Sequence, residues 1–151
     1  MARLQRIVIH CTATPAGREV TFDDIRHWHK DPPPKGNGWK HFGYHLLVLL
    51  NGCIVNLQPL PSGPYIFNAN VANGAKGFNN DSLHVCYVGG IDPMTKKPAD
   101  TRTEAQKLSL VQIISQLRQT YGPLPVLGHR DLPGVKKSCP CFNARKEYNH
   151  G

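Results

Sequence analysis

The stretch GYHLLVLLNGCIVNL, residues 43 to 57, carries the strongest local signal in the chain. Two apolar runs flank Asn51-Gly52, and that dipeptide tolerates the positive φ angles a type I′ turn needs. A β-hairpin is therefore expected here, and the rest of the fold is read outward from it. Upstream, RIVIH (residues 6–10) is a short β-branched run and reads as a buried strand. Between the two, Thr21-Phe22-Asp23-Asp24 matches a capping box, with Ile25 and Trp28 following at helical spacing. DPPPKGNG (31–38) stops that helix.

Downstream, residues 59–82 are rich in Pro, Gly and Asn and read as a long surface loop, a common place for binding groups. LHVCYVGG (83–90) is a second core-type strand. Thr103 and Gln106 form another capping box, opening a helix whose Leu110, Ile113, Ile114 and Leu117 share one face and which Gly122 closes. PVLGH (125–129) reads as a last short strand, and a brief helix is expected from about Phe142 to Tyr148. The order β-α-β-β-β-α-β-α predicts an α/β fold, with a central mixed sheet of about five strands flanked by helices. With no repeat or linker visible, residues 1–151 are expected to form a single domain.

Composition narrows the function classes. A hydrophobic content of 40% with 19% charged residues is ordinary for a water-exposed globular domain. The longest clean apolar run, Leu46–Leu50, is strand-sized, so no membrane insertion is expected. Ile7–Ile9 is too short for the apolar core of an export signal, which favours cytoplasmic synthesis. Five cysteines cannot all pair within one chain, so reduced thiols or a metal thiolate are expected. The net charge of +8 favours polyanions such as nucleic acid, anionic lipid or a phosphate-rich wall. Part of it is local, in Arg130, Lys136, Lys137, Arg145 and Lys146.

Both clear strand ends finish in histidine, IVIH at His10 and VLGH at His129. A histidine leaving a strand end is fixed by the sheet yet reaches into a cleft. Cys139 follows beyond a turn at Pro133-Gly134 that lets the loop fold back. Two imidazoles and a thiolate would leave one tetrahedral position for water, the open arrangement of a catalytic zinc site. Zinc so held lowers the pKa of its bound water to about 7. Spacing alone leaves this beside two other readings, a Cys–His nucleophile or simple packing.

The segments IVIHCTAT, GWKHFGYH, the hairpin, AKGFNNDSLHVCYVGG and GHRDLPGVKKSCPCF follow one another as in a known family. In this the chain resembles the zinc-dependent N-acetylmuramoyl-L-alanine amidases, in the branch of T7-type phage lysozymes and peptidoglycan recognition proteins. The resemblance covers about residues 6 to 148. It implies that fold, one zinc ion per chain, and His10, His129 and Cys139 as the ligands. It also implies Tyr44 beside the metal, Lys137 near the reacting carbonyl, and peptidoglycan as substrate. The bond cut would be the amide joining N-acetylmuramic acid to the L-alanine of the stem peptide. Lys76 and Asn79 in AKGFNN are candidates to line the substrate groove. A monomer acting on the wall after release, as a phage-type lysin does, is the expected setting.

Some features depart from the family pattern. Many relatives carry histidine immediately before Ala-Lys-Gly, where this chain has Gly74, and glycine is frequent where it has His84. Cys11, Cys53 and Cys86 read as core fillers, Cys141 as structural, and His45 as pointing away from the face that Tyr44 uses. The main rival is a non-catalytic peptidoglycan-binding module on the same fold; such relatives commonly lack the cysteine ligand, which is present here. Nucleic-acid binding has only the net charge behind it, without a zinc finger, an RNP motif or an aromatic-interleaved basic stripe. A zinc deaminase would need H-x-E and P-C-x-x-C, and neither is found.

Overall fold

Ile7, Val8 and Ile9 have no polar residue among them, and a strand covered on both faces requires such a run. All three are fully buried in a computed structural model that describes residues 1–149. They belong to β2 (Arg6–Cys11), which lies between β7 (Ser82–Tyr87) and β9 (Val126–Gly128) and is parallel to both. Beyond β7 come β4 (Leu46–Val48), also parallel, and β5 (Ile54–Asn56), antiparallel to β4. The central sheet is thus mixed and five-stranded, in the order β5-β4-β7-β2-β9. Two small pairs flank it: β1 (Ala2–Arg3) with β6 (Tyr65–Ile66), and β3 (Thr14–Pro15) with β8 (Gly90–Ile91).

Helices cover both faces. α1 (Phe22–Lys30) has the expected capping box, with the Thr21 hydroxyl accepting from the Asp24 N–H and the Asp24 carboxylate accepting from the Thr21 N–H. It buries Ile25 against Leu47, Cys86 and Val88. On the other face α2 (Glu104–Tyr121) lays Leu110, Ile113, Ile114 and Leu117 over Ile7, Ile9, Val85 and Val126. Its buried Gln106 completes the second capping box and donates to the Val48 and Val88 carbonyls, tying the helix start to the sheet. α3 (Ala144–Tyr148) joins the same layer. Arg102 holds it there, forking onto Asp100 and Glu147, bonding the Tyr148 hydroxyl and stacking 3.4 Å above the Phe142 ring. Among the described residues no helix is long and apolar enough to cross a membrane.

Three expectations are corrected. The β4–β5 hairpin forms, but its turn is not type I′. The Gly52 N–H donates to the Leu49 carbonyl at 2.8 Å, and within the turn only Gly52 takes positive φ, +87°. The result is a three-residue loop with a glycine bulge. Its shape is set by contacts outside the hairpin: Ser109 Oγ donates to the Gly52 carbonyl at 2.6 Å and Thr103 Oγ1 to the Leu50 carbonyl at 2.8 Å. Secondly, β5 is a sheet edge, so Cys53 is exposed and not a core filler. Thirdly, residues 59–82 are not one unstructured loop; they hold β6 and single helical turns at Asn68–Asn70 and Asn79–Asp81.

Leu110 is fully buried at the centre of the α2 contact. Leu110→Ala is expected to lower stability by about 3 kcal/mol. Urea unfolding should show this as a lower midpoint at unchanged slope.

Candidate metal centre and active site

Register brings the two strand-end histidines together. Ile9 of β2 pairs with Gly128 of β9, so His10 and His129 are the next residues along two adjacent parallel strands. Their rings lie 4.7 Å apart, centroid to centroid, and both are buried. His129 opens a single helical turn, His129–Asp131, instead of ending the strand as expected. The Asp131 carboxylate accepts the Gly128 N–H at 2.8 Å and so holds that turn onto the strand.

The loop after His129 folds back, as its turn residues suggested. The Arg130 N–H donates to the Cys139 carbonyl at 2.8 Å, and the Tyr87 hydroxyl donates to the Pro140 carbonyl at 2.6 Å. A side chain at Gly128 would place a Cβ 2.6 Å from Pro140 Cδ, so the close approach needs glycine there. Cys139 Sγ then lies 3.9 Å from His10 Nδ1 and accepts the Cys11 N–H at 3.2 Å.

One donor atom from each of His10, His129 and Cys139 lies within 4.8 Å of the others. At ordinary zinc bond lengths, N and S donors of a tetrahedral site are about 3.6 Å apart. The three residues fit a metal ion after shifts of ångström size. Burial, followed by the neighbouring His84 and His129 rings and the Lys137 ammonium, pushes the His10 pKa well below the usual histidine range. Burial and then Lys137 lower that of His129. Both imidazoles are neutral at pH 7 and offer lone pairs.

The Tyr44 ring sits 5.1 Å from that of His10 and 5.1 Å from that of His29. Burial, then the neighbouring Cys86 and Cys139 thiols, raises its pKa well above the usual tyrosine value, so it keeps its proton. His45 does not point away from this group. Its ring stacks on His84 at 6.0 Å, because β4 starts only at Leu46 and strand alternation does not reach Tyr44. Lys137 is exposed, and its ammonium is close enough to depress both His10 and His129. Lys76 is exposed on the neighbouring loop, while Asn79 accepts the Ala75 N–H at 2.8 Å and so closes a turn. Cys141 lies outside the three-donor group. Its Sγ is 3.8 Å from that of Cys11, and burial pushes its thiol up to about 12.

Two residues of the site had no role in the sequence reading. His29 accepts the Gly43 N–H at 2.8 Å through Nδ1 and supports Tyr44. His84, fully buried in β7, bonds His10 directly: His10 Nε2 and His84 Nδ1 are 2.8 Å apart. A polar residue inside a core-type strand, and its departure from the family resemblance, were the signals available for it.

Comparison with known proteins agrees with this geometry. Residues 1–142 match the family model described as N-acetylmuramoyl-L-alanine amidase. The endolysin of Enterobacteria phage T3 is 32% identical over 146 residues, 96% of this chain and 85% of that protein. Among solved structures, the N-acetylmuramoyl-L-alanine amidase LysC from Clostridium intestinale superposes with a TM-score of 0.71 at 22% identity. That match covers 97% of this chain and 82% of LysC. Drosophila PGRP-LB superposes with a TM-score of 0.69 at 18% identity, covering 97% and 80%. The last two likenesses are of fold.

His29 and His45 each use Nδ1 to accept a backbone N–H, and burial lowers each pKa to about 4. Both are neutral in the folded chain, whereas an unfolded histidine takes up its proton near pH 6.5. Their contribution to stability is complete above pH 6.5 and is lost as pH falls towards 4, at up to about 3 kcal/mol for each. Urea midpoints of the metal-free protein should therefore drop between pH 6.5 and 4, and His45→Gln should make that drop shallower. Equal slopes for the variant and the parent would contradict the assignment.

Proposed function

The chain belongs to the N-acetylmuramoyl-L-alanine amidase family, and we propose that it works at a single zinc ion held by His10, His129 and Cys139. Its activity is hydrolysis of peptidoglycan at the amide between N-acetylmuramic acid and L-alanine, in the manner of an endolysin. The observation that carries the zinc reading is the meeting of three donor atoms within 4.8 Å at one end of the sheet. Bound there, zinc lowers the pKa of water to about 7 and acts as a Lewis acid towards a carbonyl oxygen.

The surrounding residues divide the remaining work. Neutral His10 and His129 present lone pairs without first losing a proton, because burial has already removed it. The Cys11 N–H donates to Cys139 Sγ at 3.2 Å and helps hold that sulfur beside His10. The Lys137 ammonium, near enough to lower the pKa of both imidazoles, would counter negative charge developing on the amide oxygen. Tyr44, which keeps its proton, donates a hydrogen bond to that oxygen or protonates the leaving nitrogen. We take Lys76 and Asn79 as the residues that would line the substrate groove. We take residues 1–151 as one domain acting as a monomer, made in the cytoplasm and reaching the wall after release. Its positive charge concentrates it on anionic wall polymers. The cysteine donor supports hydrolysis over mere peptidoglycan recognition.

Mass spectrometry of digested peptidoglycan tests this reading. The parent protein should release free stem peptides and contain one zinc per chain, and Cys139→Ala should do neither. Tyr44→Phe and Lys137→Ala should keep their zinc while kcat falls by about 10²-fold or more. Stem peptides released equally by Cys139→Ala would overturn the zinc assignment.

A further inference from the structure

We propose that His84 is a positioning residue: through its Nδ1 it fixes the metal ligand His10 in the ring orientation and tautomer that leave His10 Nδ1 free for zinc. This rests on the zinc reading above and goes beyond it, since it concerns which atom of His10 is offered and what holds it there.

The geometry defines the roles of both rings. His10 directs Nδ1 towards Cys139 Sγ, at 3.9 Å, and Nε2 towards His84 Nδ1, at 2.8 Å. A neutral histidine that gives one nitrogen's lone pair to a metal carries its proton on the other. His10 therefore donates Nε2–H, and His84 Nδ1 is the acceptor. Carboxylates, backbone carbonyls or water fill this place at most metal-bound histidines. Here a second imidazole does so.

His84 has little freedom to do anything else. It is fully buried, its ring stacks within 5° of parallel on His45, and its own N–H donates to His45 Nδ1 at 2.9 Å. On another side lies Gly74, where an added Cβ would stand 2.7 Å from His84 Nδ1 and 2.9 Å from its Cγ. The ring is thus clamped with Nδ1 towards His10. Its other nitrogen, Nε2, is buried with no hydrogen-bond partner among the described residues. Leaving a buried polar atom unsatisfied is costly, and packing alone would be better served by an apolar side chain. Nδ1 is the atom that repays keeping a histidine at this position.

Two variants separate positioning from packing. His84→Leu fills the space but removes the acceptor, whereas His84→Asn returns an acceptor oxygen near the place of Nδ1. Zinc dissociation constants, measured by chelator competition, should rise 10- to 100-fold in His84→Leu and by no more than about threefold in His84→Asn. Equal weakening in both, or none in either, overturns the proposal. Nitrogen-15 NMR of the parent's histidines gives a test without mutation, and it stands even if His84→Leu fails to fold. The zinc-loaded parent should show His10 protonated at Nε2 and metal-bound at Nδ1; protonation at Nδ1 overturns the proposal. A parent that binds no zinc refutes the zinc reading itself. A parent whose zinc depends on Cys139 but not on residue 84 refutes only this inference.

Discussion

The parallel pairing of β2 with β9 is the constraint on which the site depends. His10 and His129 come from opposite ends of the sequence, and only this register, with Ile9 opposite Gly128, brings their rings to 4.7 Å. A slip of one residue would send one imidazole to the α2 face, because side chains alternate along a strand. The register is protected by the runs around it. Ile7 and Ile9 are buried against α2 while Val8 is buried on the opposite side, so a one-residue slip would place His10 in the apolar layer. The same pairing puts the two imidazoles at the carboxyl ends of parallel strands, where open α/β sheets present their clefts.

A second consequence follows from burying imidazoles side by side. His45, His84, His10 and His129 form a row of rings in contact, and burial favours the neutral form of each. Neutral histidines both donate and accept, so the row can be hydrogen-bonded without a counter-charge. His45 donates Nε2–H to the Asn70 carbonyl and accepts the His84 N–H, while His84 accepts from His10. The link between His45 and His84 runs through backbone, so His45 sets the position of β7 and not the tautomer of His84. The lone pair left over at the end of the row is His10 Nδ1, which faces Cys139.

Much of this was legible in the sequence, and the failures have physical causes. Both capping boxes and the buried face of α2 rest on local patterns and stand in the structure as read, whereas His10 lies one residue inside the end of β2 and His129 just beyond β9. The turn at Asn51-Gly52 was misread because Ser109 and Thr103 on a distant helix decide its shape. Cys53 was misplaced because apolarity does not reveal whether a strand is central or at an edge. The mutual placement of His10, His129 and Cys139 depends on strand order, which spacing along the chain does not determine. Family resemblance supplied that step, and the fold accounts for it.

His84 and Gly74 illustrate what a linear pattern hides. The family resemblance marks each as a separate departure, one a histidine where glycine is expected and the other a glycine where histidine is expected. In the fold they touch. The Gly74 backbone is not among those with positive φ, so no conformational need keeps glycine there; the space is simply taken by the His84 ring. A side chain at 74 would also meet the Gly43 carbonyl at 2.7 Å, next to Tyr44, so the site cannot yield in that direction. The two positions are therefore coupled, and neither can change alone without a clash or a void. What reads in the sequence as two unrelated departures is, in this fold, one contact between β7 and the loop before it.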